Sequence, residues 1–434
     1  MPHTLSHVLP HTAKARDDGH LEVGGVDVVE LAERFGTPSY IFCEQTFRER
    51  ARAYREAYAE GTVYYAGKAF LTVGMAKMVA EEGLGMDVAS GGELYTALKA
   101  GFPVERLVFH GNNKTTEELE MGLDGGVGCF VCDSIDELER LDELAGARGV
   151  RAPVVLRVTP GVEAHTHEFI QTGQDDSKFG CNIEGGVALE AAKRALDLPN
   201  LDLLGFHSHI GSNITGPEAF LRTAEIHAEF CRSVRDATGY EPSELNMGGG
   251  LGIAYTRGDY PAEVASFAKQ MQQKVAAEFS DRGLSVPRLA VEPGRWLIAN
   301  AMLTLYSVGV VKEIPGVRTY VSVDGGMSDN IRPSLYQARY EALIANRCNE
   351  HGDKVVTIAG SHCEQGDLLI RDIALPGNTR RGDLLAILAT GAYGFSMASN
   401  YNRFRRPPVI VVADGRAREL VRRETYEDLT ARDL

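Results

Sequence analysis

Tyr64-Tyr65-Ala66-Gly67-Lys68-Ala69-Phe70 is the stretch from which the fold can be read. Val63, Tyr64 and Tyr65 are β-branched or aromatic and predict a strand. Gly67 then breaks it, one lysine follows, and a helical pattern runs from Thr72 to Ala80. This places Lys68 just past the C-terminal end of a buried strand. Burial lowers an amine's pKa and favours a nucleophilic, imine-forming amine. A salt-bridged core lysine is the other reading of the segment.

Working outward, the same strand-then-helix beat repeats. Apolar strands are predicted at 62–66, 85–89, 106–109, 127–132, 154–158, 203–207, 244–247 and 289–292. Helical patterns lie between them near 73–82, 91–99, 116–122, 134–146, 185–196, 217–237 and 261–281. Eight such units in one run predict a closed parallel (β/α)8 TIM barrel rather than an open doubly wound sheet. Before them, residues 1–45 read as irregular up to a short strand at Pro38–Phe42, followed by a charged helix over Glu44–Tyr58. After about residue 303 the texture becomes short β-type runs cut by Gly and Pro. They cover Leu305–Val311, Thr319–Val323, Lys354–Ala359, Asp383–Leu388 and Val409–Val412, with a final strand and short helix after Arg418. The expected organisation is an N-terminal segment over 1–45 that joins a mostly antiparallel β domain over 304–434, with the barrel over 46–303.

Composition narrows the function classes. Hydrophobic residues make up 44% and charged residues 24% of the 434, which suits a folded protein with a sizeable core. The net charge of −15, without a basic patch, argues against nucleic acid and anionic membrane as partners. No apolar run is long enough to span a bilayer. Seven scattered cysteines without a CxxC pair suit reduced thiols of a cytoplasmic protein.

Barrel chemistry sits at the C-terminal strand ends. In order these offer Lys68, Asp87, the run His110-Gly111-Asn112-Asn113-Lys114, Arg157, His207-Ser208-His209-Ile210-Gly211-Ser212, Gly248-Gly249-Gly250 and Glu292-Pro293-Gly294-Arg295. Three glycines let backbone N–H groups close on an anion, and the loops after strands seven and eight are where barrels hold phosphate. A lysine for an imine, a phosphate cradle, a histidine to stack and a carboxylate to keep a pyridine nitrogen protonated describe pyridoxal 5'-phosphate. Glu292, before a rigid Pro-Gly, is the best such carboxylate, and His209 the best stacking partner. His165, His167 and Glu168, or His362, Cys363 and Glu364, could chelate zinc, but the spacing is weak evidence and no metal is expected.

These residues resemble the diaminopimelate decarboxylases, of the alanine-racemase-like, fold type III group of pyridoxal phosphate enzymes, and look most like the actinobacterial branch. The likeness spans about residues 20 to 430. Besides the rim motifs it rests on Gly161-Val162-Glu163-Ala164-His165-Thr166-His167-Glu168-Phe169, Asp324-Gly325-Gly326-Met327-Ser328-Asp329-Asn330-Ile331-Arg332, Cys363-Glu364 and Gly391-Ala392-Tyr393. The resemblance implies a lyase converting meso-2,6-diaminopimelate to L-lysine and CO2. The alternative is a decarboxylase of the same family acting on a related amino acid or secondary-metabolite substrate. It implies Lys68 as the Schiff-base lysine, Asp87 near the cofactor and His209 on the ring. Ser212, Gly249, Gly250 and the backbone of Glu292, Gly294 and Arg295 are implied to hold phosphate, with Tyr393 also binding cofactor. Arg295, Arg332 and Tyr336 suit the substrate's distal carboxylate and Glu364 its ammonium. Cys363 is implied as proton donor, supplied with Glu364 by the partner subunit of a homodimer with shared active sites. The chain departs from the pattern at Asn246, where Asp is usual and whose change removes a negative charge near the phosphate loop. It departs also at Trp296, Gln365 and Gly394, and the bulk of Trp296 and Gln365 is expected beside substrate-facing residues.

Overall fold

The computed structural model describes residues 5–162 and 177–434. The His165, His167 and Glu168 zinc candidates and most of the Gly161–Phe169 motif therefore lie outside the described residues. The chain divides into two compact units. One comprises Ala51–Gly252 and Pro261–Gly294, and the other Met1–Arg50, Ile253–Tyr260 and Arg295–Leu434.

The first unit is the closed barrel. Its eight parallel strands are Thr62–Ala66, Gly85–Val88, Leu107–Phe109, Cys129–Cys132, Ala152–Thr159, Leu201–His207, Glu244–Asn246 and Arg288–Val291. Each pairs with the next, and the eighth pairs back onto the first. Most of these strands are buried along nearly their whole length, which is why they read as apolar runs without alternation. Tyr64, Val108, Cys129, Val131, Val155 and Ala290 form a cluster from five of the strands, the packed layer expected inside such a barrel.

Local chemistry fixes the helix ends. Ser90, Thr115 and Ser134 each cap a helix by accepting from the N–H three residues on, and Thr115 with Glu118 completes a capping box. The matching C-caps Gly101, Gly126 and Gly149 adopt left-handed backbone. Register then sets the rim. Ala66 pairs with Asp87, and His207 lies between Arg157 and Asn246. Residues that follow these pairs emerge together at the C-terminal end.

The second unit is a mixed sheet around the 13-residue strand Met302–Ile314. That strand pairs antiparallel with Arg318–Val323, Leu384–Leu388 and Ser39–Cys43. Ser39–Cys43 also takes Val409–Ala413 in parallel, and Arg318–Val323 takes Lys354–Ala359 in parallel. The segment read as irregular contains a small sheet of Lys14–Ala15, Leu21–Val23 and Val26–Asp27, then a helix over Val28–Phe35 capped by Asp27. Strands of two or three residues are too short to show a periodicity, so the sequence gives no sign of them. The strand Leu368–Leu375 is also absent from the sequence reading. No helix among the described residues is long and apolar enough to cross a membrane.

Candidate active site

Lys68 sits in a short 3-10 turn, Gly67–Ala69, that ends the first barrel strand. Gly67 and Ala69 are buried, but the Lys68 side chain is exposed. The expectation of a desolvated lysine is corrected: the turn aims the side chain out of the apolar segment that contains it. The turn itself is held firmly. The Tyr65 hydroxyl donates to the Phe70 carbonyl at 2.7 Å, and the Gly67 N–H donates to Asp87 Oδ1 at 3.1 Å. Asp87, Glu93 and His209 all feel the lysine's charge. Burial, reinforced by Glu292, pushes the Asp87 carboxyl up to about 7 against the pull of His110 and Lys68.

Glu292 follows the eighth strand directly and is buried. Its Oε1 accepts from His110 Nε2 and Asn246 Nδ2, both at 2.8 Å, and its Oε2 accepts from His207 Nε2 at 3.1 Å. A carboxylate can only accept here, so each imidazole carries its hydrogen on Nε2. Burial alone would push Glu292 up, but the charges and hydrogen bonds of the two histidines outweigh it and hold the carboxyl well below its usual range. His207 is driven down to about 4, chiefly by burial, so it donates as a neutral ring at neutral pH. Asn246 is in turn fixed by the Gly248 N–H, which donates to its Oδ1 at 2.9 Å. The departure at this position thus bears on Glu292 as well as on the phosphate loop, because an Asp would set a second carboxylate against it.

The glycines leave no space for side chains. A Cβ on Gly248 would stand 2.5 Å from the Ser208 carbonyl, on Gly249 2.1 Å from that of Glu292, and on Gly250 2.4 Å from that of Gly211. Gly248 and Gly250 have φ of 65° and 118°, which other residues rarely adopt. The Ile214 N–H donates to the Gly250 carbonyl at 2.9 Å, so Gly211 and Ser212 lie in a loop stitched to the glycine loop. His209 is half-buried and accepts at Nδ1 from the Gly249 N–H, 3.2 Å away. Burial, then Lys68 and Arg157, hold it well below its usual pKa, so its ring is neutral. Gly294 backs onto the lysine turn, where a Cβ would meet Ala66 and Ala69. A backbone cradle that any Cβ would fill, a fixed anion and a neutral imidazole on the rim that carries Lys68 suit pyridoxal phosphate.

In the second unit, Arg295 and Arg332 are buried at 5% and 6% exposure among three tyrosines. Arg295 Nη1 and Arg332 Nη1 both donate to the Tyr255 hydroxyl, the latter at 3.1 Å, and Arg332 also donates to Tyr340. Arg295 Cζ lies 4.9 Å from the centroid of Tyr393. Tyr336 stands half-buried at the end of the short helix Arg332–Tyr336, while the phenols on Arg332 are those of Tyr255 and Tyr340. Cys363 and Glu364 are exposed on the turn between two strands. The turn is set by His362, whose N–H and Nδ1 both engage Asp367 at 2.8 Å, and by the Cys363 N–H, which donates to Asn402. Trp296, expected beside substrate-facing residues, has Arg50 Cζ 4.6 Å over its ring. Among the described residues the clusters with metal-ligand spacing are His110–His207–Glu292 and Asp18–His20–Asp27, and His362, Cys363 and Glu364 do not gather into one.

The fold and this rim define a pyridoxal-dependent decarboxylase. Residues 44–299 match the family model of the pyridoxal-dependent decarboxylase, pyridoxal binding domain, and the cofactor is pyridoxal phosphate. Over its full length the chain belongs to the diaminopimelate decarboxylase family. It is 49% identical to diaminopimelate decarboxylase of Bacillus subtilis, over 98% of this chain and 97% of that one. The figure is 42% for that of Corynebacterium efficiens, over 99% and 95%. Among solved structures, diaminopimelate decarboxylase from M. jannaschii in complex with L-lysine superimposes with a TM-score of 0.92 at 36% identity, covering 98% of each chain.

The sequence placed His110 on the rim and Asn246 near the phosphate loop without giving either a partner, and singled out neither Glu93 nor Tyr255 and Tyr340. His110 follows the third strand directly, so position alone pointed to it. The tyrosines carry no motif.

Proposed function

We propose that the chain converts meso-2,6-diaminopimelate to L-lysine and CO2. The observation that carries this is Glu292, held as a buried anion by His110, His207 and Asn246 on the rim that bears Lys68. Bound pyridoxal phosphate supplies an electron-accepting ring for the pair of electrons left by departing CO2. Lys68 would carry the cofactor through its amine, and Glu292 would keep a proton on the ring nitrogen. His209 would pack on the ring, with Asp87 as a further cofactor residue. Ser212, Gly249, Gly250 and the Glu292–Arg295 backbone, Gly294 included, would hold the phosphate, and Tyr393 would contribute to cofactor binding. Arg295, Arg332 and Tyr336 pair the distal carboxylate and Glu364 the distal ammonium. Leaving either charge bare in a desolvated site would cost several kcal/mol, roughly 2–5, so both ends are read. Cys363 delivers a proton to the carbon that has lost CO2.

The exposure of Cys363 and Glu364 supports their use by the other subunit of a homodimer. A net charge of −15 argues against nucleic-acid partners, and seven free cysteines suit the reducing cytoplasm.

The test is to incubate purified protein with pyridoxal phosphate and meso-diaminopimelate and assay CO2 and lysine. Cofactor loading without turnover of diaminopimelate rejects the substrate. Mixing inactive Lys68→Ala with inactive Cys363→Ala chains should restore activity through one intact site per mixed dimer. No recovery after proven exchange rejects the shared site.

A further inference from the structure

We propose that Tyr255 is a specificity-determining residue whose hydroxyl reads the substrate's distal carboxylate together with Arg295 and Arg332. This rests on the reading that the two arginines take that carboxylate.

The geometry is that of a shared acceptor. Both guanidiniums donate to one phenol oxygen, which has two lone pairs and one hydrogen. With both lone pairs taken, the O–H hydrogen is the free element, and among the described residues it has no acceptor. A carboxylate entering between the guanidiniums would meet two cations and that hydrogen.

Tyr255 is built to stay there. Its ring is buried edge-on to Tyr340, with centroids 5.3 Å apart at 85°. The N–H groups of Tyr255 and Thr256 donate to Asp259 at 3.0 and 2.7 Å. Asn300 donates to the Ala254 carbonyl at 2.9 Å, and Arg257 clamps Glu341 beside Tyr340. The segment is thus pinned on both sides of the phenol.

The placement has a pH signature. The charged and titratable groups facing Tyr255 are Arg295, Arg332 and Tyr340, with Tyr393 across the guanidiniums and Asp259 and Glu341 on its backbone side. Burial raises the phenol's pKa, but Arg295 and Arg332 outweigh it and leave it below the usual value. When the phenol ionises, the donor is lost and an anion stands where the carboxylate binds. Affinity for that carboxylate must then fall as pH rises.

The test measures binding to the pyridoxal phosphate-loaded protein of L-lysine and of cadaverine, which differ by this carboxylate alone. Wild type should prefer L-lysine at neutral pH and lose that preference at alkaline pH. In Tyr255→Phe the preference should be about tenfold smaller at neutral pH, and the alkaline loss should flatten. Comparing proteins at each pH cancels the ligands' own ionisation. A fluorotyrosine placed at 255 keeps the shape while lowering the phenol's pKa, and should move the loss to lower pH. The ultraviolet tyrosinate difference between wild type and Tyr255→Phe should show one phenol titrating early. If Tyr255→Phe keeps both the preference and its pH dependence, Tyr255 has no such role, although the arginine reading stands. If wild type never prefers L-lysine, the arginine reading fails and takes this proposal with it.

Discussion

The barrel rim and the tyrosine box bury opposite charges by mirrored means. On the rim one carboxylate is surrounded by three N–H donors from His110, His207 and Asn246. In the box two guanidiniums are surrounded by phenols. Hydrogen bonds satisfy the Glu292 anion within the protein, so its charge is available to a cofactor without reorganisation. Phenols are weaker acceptors than carboxylates, so the described partners of Arg332 leave it something to gain from an anionic ligand. One region holds an anion, and the other holds two cations.

The comparison breaks first at Lys68. Lys68→Ala should reduce activity to background, and borohydride should then fix no pyridoxyl mass on the peptide that carried the lysine. In wild type the mass should appear there and on no other lysine. Glu292→Gln comes next, because it sets an amide against three donors. It should lower kcat by about 10²–10³-fold. It should also cost roughly 1–3 kcal/mol of stability, read by thermal melting. A variant with unchanged kcat would mean that the rim anion does not act on the ring.

Arg332→Ala should behave differently. It should cost about 2–4 kcal/mol of transition-state binding, or roughly 30- to 1,000-fold in kcat/KM, mostly in KM. The visible absorbance of bound cofactor should survive. Loss of cofactor instead would move Arg332 out of the substrate's distal end.

The smallest effect concerns Asp87 in cofactor-free protein. Its carboxyl sits near 7 when folded, above its unfolded value of 3.8. The stability it contributes is therefore full below about 4 and is lost as pH rises through 7. Asp87→Asn keeps the acceptor for Gly67 but not the charge. Its Tm should gain on wild type by a few degrees between pH 5 and pH 8. A constant difference across that range would mean that Asp87 is already ionised.

Much of this was legible because buried parallel strands are continuous apolar runs, and turn glycines mark their ends. The seven helical stretches and eight strands expected of the barrel follow from that pattern. The rim candidates followed from knowing which strand end does chemistry. What was not legible depends on register and on chain path. His110 meets Glu292 only because strands one, two, three and eight align, and 182 residues separate the pair. Lys68 was misread as buried because its neighbours are, and a one-residue change of direction at a turn leaves no trace in composition. Tyr255 stands in a short excursion, Ile253–Tyr260, that belongs with the second unit although barrel sequence flanks it.

That excursion bears on inheritance. The chain passes between units after Arg50, Gly252, Tyr260 and Gly294, so neither unit is a continuous stretch of gene. A recombination joint near residue 303 would carry Tyr255 and Arg295 with the barrel and leave Arg332, Tyr340 and Tyr393 on the other parent. The box would then be assembled from two lineages, with the shared phenol matched to an arginine it had not evolved beside. If the box sets substrate choice, that choice cannot be exchanged by swapping one continuous stretch of chain.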